Sequence, residues 1–337
     1  MYNVAVIGCG YMGQTHLEDI YLKESVNLYA VCDLDKEKAR LCAQRYNADI
    51  YSDSAEKIIS DKNVDIVIIA TYPSTHLDFL KLCLENKKHV LCEKPITKTY
   101  EDGLKFKELV DKNPDCKVLV GHILRHNKTY KEVLRLIKED TIGSPVVMRM
   151  VQNHQVRKWD KYQRLIEETS PIIDCGVHYV DIMRWFTGAE VTSVNGVGTK
   201  TVSSVPDGKY NHGMINITMS DGSIGFYEAG WSMTAANDNT KEFIGPKGRI
   251  KITYQKDRAT HKESGNLISV YRYPDNVTEF INVPFNEKPT GAELDHLIKM
   301  IEDDIPAEPT ISDVLSCFKV VCEAEKMIKA NMEKKEL

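Results

Sequence analysis

No apolar run in the sequence approaches the length of a membrane span. The first run, residues 4–7, is too short for the core of a signal peptide. No C-x-x-C pair occurs among the nine cysteines, whose number is odd and whose spacing is irregular. Several of them sit in apolar runs, where a thiol acts as a small hydrophobe. That usage argues against a disulfide framework and fits a reducing compartment. Neither sign of charge dominates. The formal net charge is -5 and Lys and Arg are scattered, leaving no track for a nucleic-acid backbone and no membrane-surface patch. Internal repeats, low-complexity tracts and long linkers are missing as well. His122 and His126 stand four apart, yet no H-E-x-x-H or cysteine cluster accompanies them, so no metal is predicted. The expectation is a cytoplasmic protein without nucleic-acid, membrane or metal partners.

What remains is an ordinary globular composition, 42% hydrophobic and 28% charged, over 337 residues. That length suits two domains better than one core. Up to about residue 122, short apolar runs (4–7, 28–32, 64–70, 89–92, 118–120) alternate with helical patterns at 36–46, 55–59 and 76–85. Ser52 and Asp53 are candidate caps for the second of these. Continuous apolar strands separated by helices predict a parallel sheet covered on both faces, a doubly wound α/β domain over 1–122. The rhythm then changes. A helix at about 128–139, a strand at 146–151, a polar segment and a helix at about 173–186 precede several strands between 191 and 283. Turns such as Asp221-Gly222 and Pro246-Lys247-Gly248 join those strands, and helices at about 292–302 and 311–330 close the chain. Residues 123–337 thus read as an α+β domain with one large, mainly antiparallel sheet and helices on one face. Ile215, Ile217 and Met219 alternate with Asn216, Thr218 and Ser220, so the second sheet face needs water or a partner. A homodimer or homotetramer is the expectation.

The first strand runs into Gly8-Cys9-Gly10-Tyr11-Met12-Gly13, a G-x-G-x-x-G turn opening a helix, with Asp33 at the end of the next strand. In that context Gly8 permits the tight turn, Gly10 the approach of a pyrophosphate, and Gly13 close helix–sheet packing. The helix N-terminus offers free N–H groups to phosphate. A carboxylate at Asp33 accepts ribose hydroxyls and repels a 2′-phosphate, and Leu34 and Asp35 follow it rather than Arg. NAD is therefore favoured over NADP. The plainer reading of Asp33 is a cap for the following helix.

Glu93-Lys94-Pro95 follows a strand ending at Cys92, where parallel strands present residues to a ligand crevice. Lys94 there suits proton transfer and Glu93 suits orienting it or contacting a nicotinamide ribose. Taken alone, the tripeptide reads equally as a surface turn. Asp174 and His178, four apart, share one face of a helix and form a carboxylate–imidazole pair fit for moving a hydroxyl proton. Their plainer reading is an acidic residue at a helix N-terminus and a core histidine.

In this order the motifs resemble the glucose-fructose oxidoreductase, inositol dehydrogenase and rhizopine catabolism family, Gfo/Idh/MocA. The matching pieces are residues 8–13, Thr71-Tyr72-Pro73 with His76, Glu93-Lys94-Pro95, Gly121 with Arg125, Asp174-x-Gly176-x-His178-x-x-Asp181 with Trp185, and Gly245-Pro246-Lys247-Gly248. The resemblance implies a Rossmann domain followed by an α/β domain whose open sheet often forms the oligomer interface. It implies that Lys94, Asp174 and His178 are the catalytic set and contact the substrate, and that Thr71, Tyr72, Pro73, His76, Glu93 and Lys94 line the cofactor. Arg125 and Asn153 reach the substrate on this reading. Where many members carry a glycine-rich stretch, this chain has Thr169-Ser170-Pro171-Ile172-Ile173. The implied reaction is oxidation of a secondary hydroxyl on a sugar, cyclitol or related compound, with Lys94 or His178 taking the proton. Two alternatives come from the same family: a glycosidase using tightly held NAD, and a non-catalytic sensor of NAD or sugar. The complete Lys94, Asp174 and His178 set speaks against the sensor.

Overall fold

The computed structural model describes residues 1–258, 264–284 and 288–333. The chain divides into two units. The first comprises residues 1–123 and 288–315, and the second 124–287 and 316–337.

In the first unit β1 (Tyr2–Ile7), α1 (Tyr11–Tyr21), β2 (Val26–Cys32), α2 (Lys36–Tyr46), β3 (Ile50–Ser52), α3 (Ala55–Ile59), β4 (Ile66–Ile69), α4 (Pro73–Glu85), β5 (His89–Cys92), α5 (Tyr100–Lys112) and β6 (Val118–Val120) follow in order. All six strands are parallel, in the order β3-β2-β1-β4-β5-β6. The order reverses between β1 and β4, which in such sheets is where ligands bind. Every residue of β4 is buried, as are the last four of β1, because helices cover both faces. Local signals set the helix starts. Asp35 accepts from the N–H groups of Glu37 and Lys38, Thr99 from that of Asp102, and Pro73 opens α4. Helix α3 is capped by Ser54, which accepts from Lys57 N. The predicted caps Ser52 and Asp53 lie one or two residues too early, and Ser52 Oγ instead accepts from Ser54 N.

A 3-10 turn, Ile123–His126, spans the boundary, and the second unit continues with α6 (Lys128–Lys138), β7 (Val147–Gln155), α7 (Asp160–Glu168) and α8 (Pro171–Thr187). Strands β8 (Val191–Thr199), β9 (His212–Met219), β10 (Ile224–Ser232), β11 (Lys241–Gly245), β12 (Gly248–Thr253), β13 (Asn266–Arg272) and β14 (Val277–Val283) complete an eight-stranded sheet. Its order is β14-β13-β12-β11-β7-β10-β9-β8, antiparallel except where β7 runs parallel to β10. Helix α8 packs on this sheet, with Tyr179 stacked on Tyr227 at 4.7 Å between ring centres. The last helix, α10 (Ile311–Glu333), lies close on β8 because Gly196 and Gly198 carry no side chain. A Cβ there would stand 2.8 and 2.6 Å from Ile328 atoms. The opposite sheet face is open and carries Met214, Ile224 and Phe280 at 37%, 47% and 65% exposure.

One boundary differs from the predicted division at residue 122. Helix α9 (Thr290–Glu302) returns to the first unit, packing on α1, β5 and β6 through Leu294, Leu297 and Met300. An amphipathic pattern shows that a helix buries one face, not which sheet receives it.

Candidate active site

The first unit builds a nucleotide cradle at the carboxyl ends of β1 and β4. Gly8 has φ +100, and a Cβ on it would lie 2.4 Å from Ala70 O; one on Gly13 would lie 1.8 Å from Gly8 O. No other residue fits either place. A Cβ on Gly10 would meet nothing within 4 Å, so the backbone there is open to an approaching group. Helix α1 starts at Tyr11 with no side-chain cap and no acidic residue in its first turn. Its N–H groups and dipole thus face outward uncompensated, as an anion requires. These features fit a dinucleotide pyrophosphate.

Asp33 closes the other end of the cradle. Its Oδ2 accepts from Cys9 N at 2.8 Å and Lys38 Nζ at 3.1 Å, and its Oδ1 from Asp35 N at 3.0 Å. Burial alone would raise its pKa, but these donors and the Lys38 charge hold it below the ordinary carboxylate range. The helix cap is Asp35, so capping does not explain Asp33. Lys38 was not singled out in the sequence; its position in the first turn of α2 is the signal that brings it to Asp33.

After β4, Thr71 and Tyr72 are half-buried and Pro73 is buried. His76 is wholly enclosed, with Nδ1 3.0 Å from Pro95 O and Nε2 3.2 Å from Thr71 O. It ties the loop after β4 to the loop after β5, and burial lowers its pKa. Its contacts within this unit are those of a brace rather than of a surface group. The Lys94-Pro95 bond is cis, and Lys94 is half-buried. Glu93 is buried, its Oε1 2.8 Å from His16 Nε2 and its Oε2 3.3 Å from Lys94 N. Burial pushes the Glu93 carboxyl up, and the hydrogen bond and charge of His16, with Lys94, more than reverse this.

In the second unit, α8 carries Asp174 and His178. Ser170 caps the helix, accepting from Ile173 N at 3.2 Å and donating to Glu325 Oε2 at 2.8 Å. The Tyr210 hydroxyl bonds the same carboxylate, and Lys329 approaches its other oxygen at 3.0 Å. This buried network anchors the turn that carries Asp174. Asp174, His178, Asp181 and Trp185 recur at intervals of four, three and four, a single stripe. Asp174 and His178 are half-exposed while most of α8 is buried. Cys175 Sγ donates to Asp174 Oδ2 at 3.4 Å.

Arg125 lies farther along that stripe. Its Nε and Nη2 bond both oxygens of Asp181 at 2.8 and 2.7 Å, and its guanidinium sits 5.4 Å from the Trp185 ring centre. Asn153 is directed elsewhere. Along β7 it alternates with Gln152, which approaches Tyr227 under α8, so Asn153 takes the sheet face away from α8. There its Nδ2 donates to Glu228 Oε1 at 2.7 Å, which His212 Nε2 also meets at 2.9 Å. The structure therefore does not bring Asn153 to Asp174 and His178. Lys241 escaped notice in the sequence as well. It is fully buried 4.6 Å from the Tyr179 ring centre, and burial pulls its pKa far down.

Residues 2–122 match the profile of the GFO_IDH_MocA oxidoreductase family, NAD-binding Rossmann fold, and residues 130–251 match the GFO/IDH/MocA C-terminal domain. An inositol 2-dehydrogenase of Rubrobacter xylanophilus is 27% identical over 74% of this chain and 70% of its own length. A scyllo-inositol 2-dehydrogenase (NAD(+)) of Bacillus subtilis is 29% identical over 74% of this chain and 72% of its own. The crystal structure of myo-inositol 2-dehydrogenase from Lactobacillus plantarum shares the fold, with a TM-score of 0.82 at 18% identity over 98% of both chains.

Proposed function

This chain belongs to the Gfo/Idh/MocA family of NAD-binding oxidoreductases, and from that premise we propose that it oxidises a secondary ring hydroxyl of a cyclitol or related sugar. Inositols head the substrate class because the relatives named above are inositol dehydrogenases. Bound NAD would supply the nicotinamide carbon that accepts the hydride. The open backbone at Gly10 and the start of α1 at Tyr11 and Met12 hold the pyrophosphate, and Asp33 accepts the adenosine ribose hydroxyls. Glu93 and the loop of Thr71, Tyr72 and Pro73, braced by His76, serve the rest of the cofactor.

Lys94 or His178 takes the hydroxyl proton, and Asp174 orients the group that does so. The observation that carries this reading is the half-buried carboxylate and imidazole on one stripe of a mostly buried helix. Arg125 supports that stripe through Asp181, and a direct substrate contact is not needed to explain it. We assign the protein to the cytoplasm, since all nine cysteines are free and eight are buried. No described helix is long and apolar enough to cross a membrane. The open sheet face of the second unit is proposed to pair with a second copy, giving a homodimer or homotetramer. The test is NAD reduction with a panel of cyclitols, aldoses and sugar acids. Release of an aglycone without net NADH would favour the glycosidase reading instead.

A further inference from the structure

Three titratable side chains meet inside the first unit: His16 of α1, Glu93 after β5, and Glu293 of α9. One polar atom from each lies within 4.8 Å of the others. The residues are 2%, 5% and 1% exposed. His16 Nε2 and Glu93 Oε1 are in hydrogen-bond contact at 2.8 Å. Neither carboxyl oxygen of Glu293 has a hydrogen-bond partner among the described residues.

Two carboxyl groups this close in a protein interior do not both stay ionised. Their surroundings decide which one keeps its proton. Glu93 has the imidazole of His16 on one side and Lys94 next to it in the chain. Glu293 lies near the same imidazole but takes no hydrogen bond from it or from any other described residue. From α1 it faces Asp19, whose carboxylate is engaged by Thr290 Oγ1 and by Gly291 N at 2.5 Å. From the β6 side it meets Gly121, where a Cβ would lie 3.5 Å from Glu293 Oε1 and 3.6 Å from Glu93 Oε2. Burial, then Glu93 and Asp19, push the Glu293 acid far up, while Glu93 is held down. A metal ion suits the cluster less well. An imidazole nitrogen that donates to an ionised carboxylate has no lone pair left for ligation.

We propose that Glu293 is a neutral carboxylic acid and a positioning residue for Glu93, confining the pair's one negative charge to the carboxylate beside Lys94. The functional part of this inference rests on the reading of Glu93 as a cofactor residue. Loss of the Glu293 proton at alkaline pH places a second charge against Glu93 and loosens the cofactor.

Two readouts test it on the intact protein. The infrared spectrum at neutral pH should contain a protonated-carboxyl band that disappears in Glu293→Gln and fades in the wild type as pH rises. NAD titration across the same pH range should show wild-type affinity falling about tenfold per unit of coupling toward alkaline pH. Glu293→Gln should match the wild type at neutral pH and stay flat, whereas Glu293→Ala binds more weakly throughout. A missing band, a band unchanged in Glu293→Gln, or an alkaline loss parallel in both proteins overturns the proposal. So does a stoichiometric metal that Glu293→Gln removes. If Glu93→Gln leaves NAD affinity unaltered, the cofactor reading of Glu93 fails and the positioning role with it. The band still reports separately whether Glu293 carries a proton.

Discussion

Arg125 grips Asp181 through two parallel hydrogen bonds, of 2.8 and 2.7 Å, in a part of the second unit where their side chains are 8% and 1% exposed. Removing one partner of a buried pair strands the other charge, at a cost of about 3–5 kcal/mol. Asp181→Ala should therefore lower the unfolding free energy by about that much. Replacing both residues with apolar ones of similar volume should cost clearly less than the sum of the single changes. Denaturant melts of the two single variants and the double variant check this. Simple additivity would show that the pair acts through other contacts.

Cofactor choice follows from Asp33. Its carboxylate, kept ionised by Cys9 N, Asp35 N and Lys38, would lie against a 2′-phosphate. Asp33→Ser should narrow the preference for NAD over NADP, with Lys38 then left to favour the added phosphate. The ratio of kcat/KM for the two cofactors is the measurement. An unchanged ratio in the variant removes Asp33 from the discrimination.

The proposed acid–base residues should be separable from cofactor binding. Loss of a positioned proton-transfer group costs about 10²- to 10⁴-fold in rate. Lys94→Ala and His178→Ala should fall by about that in kcat/KM while NAD affinity and melting temperature stay near native. Asp174→Asn should lose less if it only orients the proton carrier. A His178→Ala protein that melts early and loses activity in proportion would mark a core histidine instead.

Acid stability should depend on His76. Its folded pKa lies below its unfolded value because burial disfavours the charged ring. Its contribution is therefore present above about pH 6.5 and is lost as pH falls toward the folded pKa, with a slope of at most about 1.4 kcal/mol per pH unit. In His76→Asn this part of the acid-side slope should vanish. Denaturant midpoints of both proteins over a pH series give the difference, and identical slopes would contradict it.

The open sheet face should be where copies meet. That face carries Phe280 on β14, 65% exposed, and Ile224 on β10, 47% exposed. Light scattering at micromolar concentration should find an oligomer, and Ile224→Lys with Phe280→Glu should dissociate it. A wild-type monomer would refute the interface.

Much of this architecture is legible in the sequence because its signals are local. Apolar runs at 89–92 and 118–120 coincide with β5 and β6, and the helix predicted at 36–46 coincides with α2. The glycine turn and Asp33 are fixed by spacing along one strand–helix–strand unit. What escaped depends on contacts distant in sequence. His16 and Glu293 belong to no motif in the sequence, yet α9 returns to the first unit and both are buried beside Glu93. Alternation along β7 separates Asn153 from Gln152 but cannot say which of them lies under α8. The cap that Ser170 makes to Ile173 N is local, but its anchoring to Glu325 and Tyr210 depends on α10 and on the chain before β9.

The proposed reaction is oxidation of a ring hydroxyl with NAD as the stoichiometric acceptor. The most direct measurement mixes purified protein with excess NAD and single cyclitols, following reduced nicotinamide by absorbance and product by mass. Equal amounts of NADH and of a ketone two hydrogens lighter than the cyclitol should form. That signal should fall by about 10²-fold or more in His178→Ala or Lys94→Ala. A protein that binds NAD tightly yet forms no NADH with any cyclitol, aldose or sugar acid would contradict it.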